Sequence, residues 1–184
     1  MKPISETLLD FFEEEDYCFE QLGGDPVFRI HFKCDNGDFP TIVIVDEEDR
    51  MLQISSICPV NITKEKMPVL AELIVRINNY LLLGLFDLHM DGETLEFRLG
   101  IKVHRIDLEY EILDLLLSGN SSVMDHFLPI ITSVAYGNVS PKKAIQLLKD
   151  ANDECIQKRE EDSVGDKPSL YKRFNGRMGF FSDN

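Results

Sequence analysis

The chain opens with apolar positions at helical spacing and then changes to a period of two. Ile4, Leu8, Leu9, Phe11 and Phe12 form one stripe of a short helix, which Ser5 is placed to cap. The acidic run 13–16 ends that stripe. Residues 17–22 alternate and predict a first strand, closed by the turn residues Gly23, Gly24, Asp25 and Pro26. Over 27–33, Phe28, Ile30 and Phe32 face one way and Arg29, His31 and Lys33 the other. The Asn36-Gly37 pair predicts a hairpin turn, because both residues tolerate positive φ. Residues 41–45 form a third strand rich in β-branched side chains, and 51–57 a fourth beyond the acidic turn 46–49.

The helical period then returns. Thr63 can cap a helix reaching about residue 80, with Leu70, Leu73, Ile74, Ile77 and Leu81 as its apolar face. Val69 and Val75 widen that face beyond what one sheet needs, while Glu72, Arg76 and Asn79 lie opposite the stripe. Asp91-Gly92 centres the next hairpin, between strands at 85–90 and 93–103. Three helices complete the pattern. The first is capped by Asp107 and ends at Ser118-Gly119-Asn120. The second starts on a capping box of Ser122 and Asp125, bends at Pro129 and stops at Gly137. The third begins at Ser140-Pro141 and aligns Ala144, Leu148, Ala151 and Cys155. Helix, four strands, helix, two strands and three helices, with short turns between the strands, predict an α+β fold: an antiparallel β-sheet of about six strands packed by helices.

Composition sets the compartment and the partners. The net charge of −14 disfavours nucleic acid and anionic lipid surfaces, and favours solubility and basic protein partners. The four cysteines, 18, 34, 58 and 155, make no C-x-x-C pair and fit a reducing compartment. The N-terminus has no long apolar signal segment, and no apolar run approaches the roughly 20 residues that span a bilayer. A cytoplasmic location and no membrane association are expected.

No catalytic, cofactor or metal site is read from the sequence. His31, His89, His104 and His126 stand singly, outside any ligand spacing, and His31 with Cys34 would point to opposite faces of a strand. The acids 46–49 lack the glycine and the alternating ligands of a calcium loop. Phosphate-binding, nucleophile-elbow and Cys/His signatures are missing.

The motifs that remain are turns, caps and core positions, and these resemble the YbjN-domain family. Gly24-Asp25-Pro26-Val27-Phe28, then Asp35-Asn36-Gly37-Asp38-Phe39, resemble its opening hairpins, and 42–48 its acidic turn. Residues 64–78 with Gly84, Phe86, Leu88 and Asp91-Gly92 are similar to its central helix and hairpin. Val134 with Gly137, and Ser140-Pro141 with Ala144, resemble its ending. Phe39-Pro40 departs from the usual aromatic position, and the basic tail has no counterpart. The resemblance covers about residues 5–150. It implies a type III secretion chaperone-like fold, often dimeric, and a protein-binding role without carried-over catalytic residues.

The expected organisation is a YbjN-like domain over 1–160 and a flexible basic-aromatic tail over 161–184. Within 164–184, Lys167, Lys172, Arg173 and Arg177 against Asp166 and Asp183 give net +2, leaving −16 for the rest. Tyr171, Lys172, Arg173, Phe174, Arg177, Phe180 and Phe181 form a candidate docking motif there. Val69, Glu72, Val75, Arg76 and Asn79 form the candidate dimer or partner surface. The leading expectation is a homodimeric, non-catalytic adaptor or chaperone-like module with a protein client. A ligand-sensing regulator, which needs an enclosed pocket, and an enzyme are the alternatives.

Overall fold

In the computed structural model, which describes residues 2–24, 26–103 and 108–162 (152–162 as backbone alone), the sheet has six strands. They are β1 (Phe19–Gln21), β2 (Val27–Lys33), β3 (Asp38–Asp46), β4 (Met51–Ile57), β5 (Leu85–His89) and β6 (Thr94–Lys102). The order across the sheet is β1-β2-β3-β4-β6-β5, and every neighbouring pair is antiparallel. The α+β expectation is met. β1 is shorter than the predicted 17–22, and β3 is longer than 41–45. Pro40 fits inside β3 because it lies beyond the register shared with β4, which starts at Thr41.

Register carries the sequence alternation onto two faces. Ile30, Thr41, Ser56, Phe97 and Phe86 align across the strands on one face, as do Phe28, Val43, Ile54 and Leu99. That face is the core: α1 (Ile4–Glu14), α2 (Met67–Asn78) and α3 (Tyr110–Ala135) cover it, and α4 (Pro141–Asp162) packs on α2 and α3. Among the described residues, no helix covers the other face, which holds Arg29, Ile42, Gln53 and Arg98.

Two caps differ from the expected ones. Thr63 makes no side-chain cap bond and precedes a 3-10 turn over Lys64–Lys66, so that α2 starts only at Met67. Ser5 lies inside α1, and Pro3 holds the N-cap position without a side-chain bond. Glu47, from the β3–β4 turn, takes over. Its carboxylate accepts hydrogen bonds from Ser5 N (2.7 Å), Ile4 N (3.1 Å) and Ser5 Oγ (2.7 Å). An anion is thereby set on the positive end of the helix. Arg50 completes the latch: it lies 3.9 Å from Glu47 and donates to the Lys2 carbonyl at 3.3 Å. Burial alone would raise the Glu47 pKa. The hydrogen bonds from Ser5 and Ile4, with Arg50, outweigh it and hold the carboxyl below its ordinary value. The folded carboxyl therefore binds its proton less readily than the unfolded one. Its stabilisation is full above the ordinary carboxylate range and is lost as pH falls through the lowered value. Glu47→Gln should cost about 1 kcal/mol at pH 7 and flatten the loss of melting temperature between pH 6 and pH 3.5. An unchanged acid profile would contradict this role.

The larger correction concerns α3. Ser118-Gly119-Asn120 does not end a helix, since a single helix of 26 residues runs through it. Asn120 is fully buried, and its amide nitrogen donates to Ile54 O and Phe97 O, both at 3.2 Å, on adjacent strands. Its oxygen accepts from Ser56 Oγ at 2.5 Å, and Ser56 in turn accepts from Thr41 Oγ1 at 2.7 Å. The polar segment is therefore a buried bolt between helix and sheet. Ser122 donates to the Ser118 carbonyl at 2.5 Å and starts no helix. α3 begins at Tyr110, beyond the expected Leu108, and Asp107 lies outside the described residues.

Asp125, expected in a capping box, holds the β2–β3 turn instead. Its carboxylate accepts from Asn36 N at 2.7 Å. Its backbone carbonyl accepts from Asn36 Nδ2 at 3.1 Å. That carbonyl lies four residues before Pro129, which has no N–H to give it, so the helix leaves an acceptor free for the turn. Gly37 sits under α3, where a Cβ would come within 2.5 Å of Leu128 Cδ2. Gly137 and Ser140-Pro141 act as expected: α3 ends at Ala135, and α4 starts at Pro141 with Lys143 N donating to Ser140 Oγ at 3.4 Å.

Candidate protein-binding surface

α2 presents a buried side and an open side. Met67, Leu70, Leu73, Ile74 and Ile77 are buried against the sheet and α3. The period of 3.6 then sends Glu72, Val75, Arg76 and Asn79 outward, where with Ala71 they line a shallow, open groove. Val75 is 64% exposed. Glu72 and Arg76 form an i,i+4 ion pair at 2.7 Å along the rim. Four of the five residues expected at a partner surface thus share one groove. Val69 is half-buried and packs against the core.

The loop after α2 extends the apolar surface. Leu82 and Leu83 are 83% and 69% exposed, the two most exposed large apolar side chains among the described residues. Their position is fixed by two residues beside them. Asn78 donates to Phe86 O at 2.9 Å and accepts from Phe86 N at 2.8 Å, so its amide pairs the outer edge of β5 as a further strand would. Gly84, at φ +73°, turns the chain between them. Both residues have the structural roles that their positions suggest.

Other sequence candidates scatter. Cys18 and Cys34 lie just outside strands, and burial pushes the Cys34 and Cys58 thiols up to about 11, so they are poor nucleophiles. Burial also lowers the His126 pKa. His104, Cys155 and the tail motif lie outside the described side chains.

One grouping was missed. Asp87, His89 and Glu96 bring their ligand atoms within 4.8 Å of one another, on the sheet face opposite the core residues Phe86, Leu95 and Phe97. Arg98 already pairs with both carboxylates, 2.5 Å from Asp87 and 3.9 Å from Glu96, and His89 Nε2 lies 3.0 Å from Glu96. The signal was available. A two-residue Asp91-Gly92 turn sets Asp87 opposite Glu96, which is the observed register. The described pockets are all shallow surface depressions, among them one at Tyr17, Phe19, Arg29 and His31. No helix among the described residues is long and apolar enough to cross a membrane.

Comparison with solved structures places the fold. "Crystal structure of YbjN, a putative transcription regulator from E. coli" aligns with a TM-score of 0.53 at 14% identity, over 73% of this chain and 96% of that one. At that identity the likeness speaks for the fold. Two complexes share the layout more loosely. The "ExsC-ExsE Complex" has a TM-score of 0.47 at 9% identity, covering 70% of this chain and 92% of that one. The "HopA1-SchA Chaperone-Effector Complex" has 0.43 at 17%, covering 67% and 92%. Both are too distant to bear on function. No curated protein matches the chain. A family model described as "YbjN: Putative bacterial sensory transduction regulator" matches residues 5–118, more than half of the sequence, and the chain belongs to the YbjN family.

Proposed function

We propose that this protein is a non-catalytic protein-binding adaptor, chaperone-like in layout, which acts as a homodimer through the outer face of α2. The observation that carries the reading is the open side of that helix: an apolar groove around Val75, with charges along its rim, on an element otherwise committed to the core. Exposed apolar patches of this kind mark association sites on soluble domains.

The rim is suited to self-association. A two-fold contact is self-complementary. An antiparallel crossing of two α2 helices near residue 74 brings Glu72 of one copy level with Arg76 of the other, while Val75 meets the partner's groove. The groove on α2 is open to solvent, which supports the binder reading, since a ligand sensor would use an enclosed pocket. A client would then use the apolar surface left outside the dimer, with Leu82 and Leu83 as its anchors.

The rim pairing is tested by charge exchange. Glu72→Arg alone should weaken the dimer about tenfold or more, since it sets like charges together at the crossing. The double variant Glu72→Arg/Arg76→Glu should restore it. Light scattering after size exclusion reads both. A dimer equally strong in all three proteins would contradict the α2 interface.

A further inference from the structure

Two packing demands meet at the β2–β3 turn and place a chemically labile pair there. Position 37 has to be glycine, because a Cβ would stand 2.5 Å from Leu128 Cδ2 of α3. Position 36 suits a side chain that donates. Asn36 Nδ2 gives hydrogen bonds to Asp125 O and Asp125 Oδ2, both at 3.1 Å, and its backbone N donates to Asp125 Oδ1 at 2.7 Å. The outcome is Asn-Gly. In that dipeptide the asparagine amide is open to attack by the next backbone nitrogen, since glycine sets no Cβ in the way.

The reaction is an acyl transfer within the chain, followed by hydrolysis. The Gly37 nitrogen gives up its proton to water and attacks Asn36 Cγ. A Cγ–N bond forms, the Cγ–Nδ2 bond breaks, and ammonia leaves as a succinimide ring closes. Water then opens the ring at either carbonyl and leaves aspartate or isoaspartate. The balance is asparagine and water to a carboxylic acid and ammonia, without a redox step. Asn36 is exposed, so water is at hand. What opposes the reaction is α3. Nδ2 is the group that must leave, and it is committed to two acceptors of Asp125. Swinging Cγ over the Gly37 nitrogen breaks both bonds. Gly37 itself is held between Leu128 and Cys34, whose N donates to Gly37 O at 3.2 Å.

We propose that Asn36 is a covalent modification site, guarded by Asp125 while the turn is docked on α3 and deamidated when the turn lifts away. Conversion runs one way, and it unlatches the turn. A carboxylate replaces the donating amide, so that oxygen faces both Asp125 O and Asp125 Oδ2 and two negative charges meet. One negative charge is added to a chain already at −14. The isoaspartate product also lengthens the backbone inside the two-residue turn, which spoils the pairing of Cys34 with Gly37. None of this depends on association through α2.

Two measurements on the full-length chain decide it. The first follows deamidation by mass spectrometry of the tryptic peptide 34–50, in which Asn36 is the only amide side chain. Folded wild type should convert about tenfold or more slowly than the same chain in guanidinium chloride, since local opening has to come first. Asp125→Ala should speed the folded rate about fivefold or more, while Ser140→Ala, which loosens the distant α4 cap, should leave it within about twofold. A folded wild type as fast as the unfolded chain, an Asp125→Ala rate equal to wild type, or equal acceleration by Ser140→Ala overturns the guarding role. The second measurement is hydrogen exchange in Asn36→Asp, the encodable product. Exchange at the amides of residues 34 and 36 should rise about tenfold or more. Unchanged exchange there overturns the unlatching, whether or not Asp125→Ala folds.

Discussion

Replacing Asn120 with alanine should lower the unfolding free energy by about 3–5 kcal/mol, because the change strips partners from several buried groups at once. Ile54 O and Phe97 O each lose a donor, and the Ser56 hydroxyl loses its acceptor. Water cannot replace them readily, since Asn120, Ser56 and Thr41 are all buried between α3 and the sheet. The aspartate variant is the sharper probe. Asn120→Asp keeps the shape, yet it sets a carboxylate oxygen against two carbonyl acceptors. It should be at least as destabilising as alanine at pH 7 and should recover in part on acidification, when the protonated carboxyl can donate to one of them. Urea unfolding at pH 7 and pH 5 measures both effects. A loss below about 1 kcal/mol for either variant would show that the bolt is dispensable.

Gly84→Ala should be the second large effect. The position requires φ +73°, which a side chain disfavours by about 1 kcal/mol. A Cβ there would also stand 2.6 Å from Phe97 Cζ and 2.8 Å from the Arg98 carbonyl oxygen. The ring can shift, but the backbone oxygen belongs to a strand paired on both sides. A total loss of about 2–4 kcal/mol is expected, with the strain falling on the β5 edge that Asn78 pairs. Thermal unfolding within a degree or two of wild type would show that the turn is looser than its geometry.

What the sequence disclosed, and what it hid, follows from how local each determinant is. The β5–β6 hairpin was legible because Asp91-Gly92 settles turn, register and facing together. The α4 start was legible for the same reason, with cap and proline adjacent in the chain. Asn120 was not. Ser-Gly-Asn-Ser-Ser is a helix break by local preference, and only two strands more than 20 residues away give the asparagine its partners. The α1 cap was hidden likewise. A serine inside the first turn is a fair local choice, but a glutamate 42 residues further along outcompetes it. Pro129 also leaves the Asp125 carbonyl unclaimed within the helix, and a turn 89 residues earlier in the chain uses it.

The candidate surface was legible in part. Helical spacing alone separates Glu72, Val75, Arg76 and Asn79 from the core stripe, and the groove contains all four. Val69, expected on the same surface, is half-buried and packs against the core. Leu82 and Leu83 were overlooked because a leucine run reads as core; only Gly84 and Asn78, by fixing where β5 begins, hold them out in solvent.

The proposed association through the outer face of α2 has a direct test. Sedimentation of the full-length protein at micromolar concentration should give a species of twice 21.1 kDa, and Val75→Glu should convert it to a single chain without loss of helix content. A wild-type protein that sediments as a 21.1 kDa monomer, or a dimer untouched by the Val75 change, would contradict it.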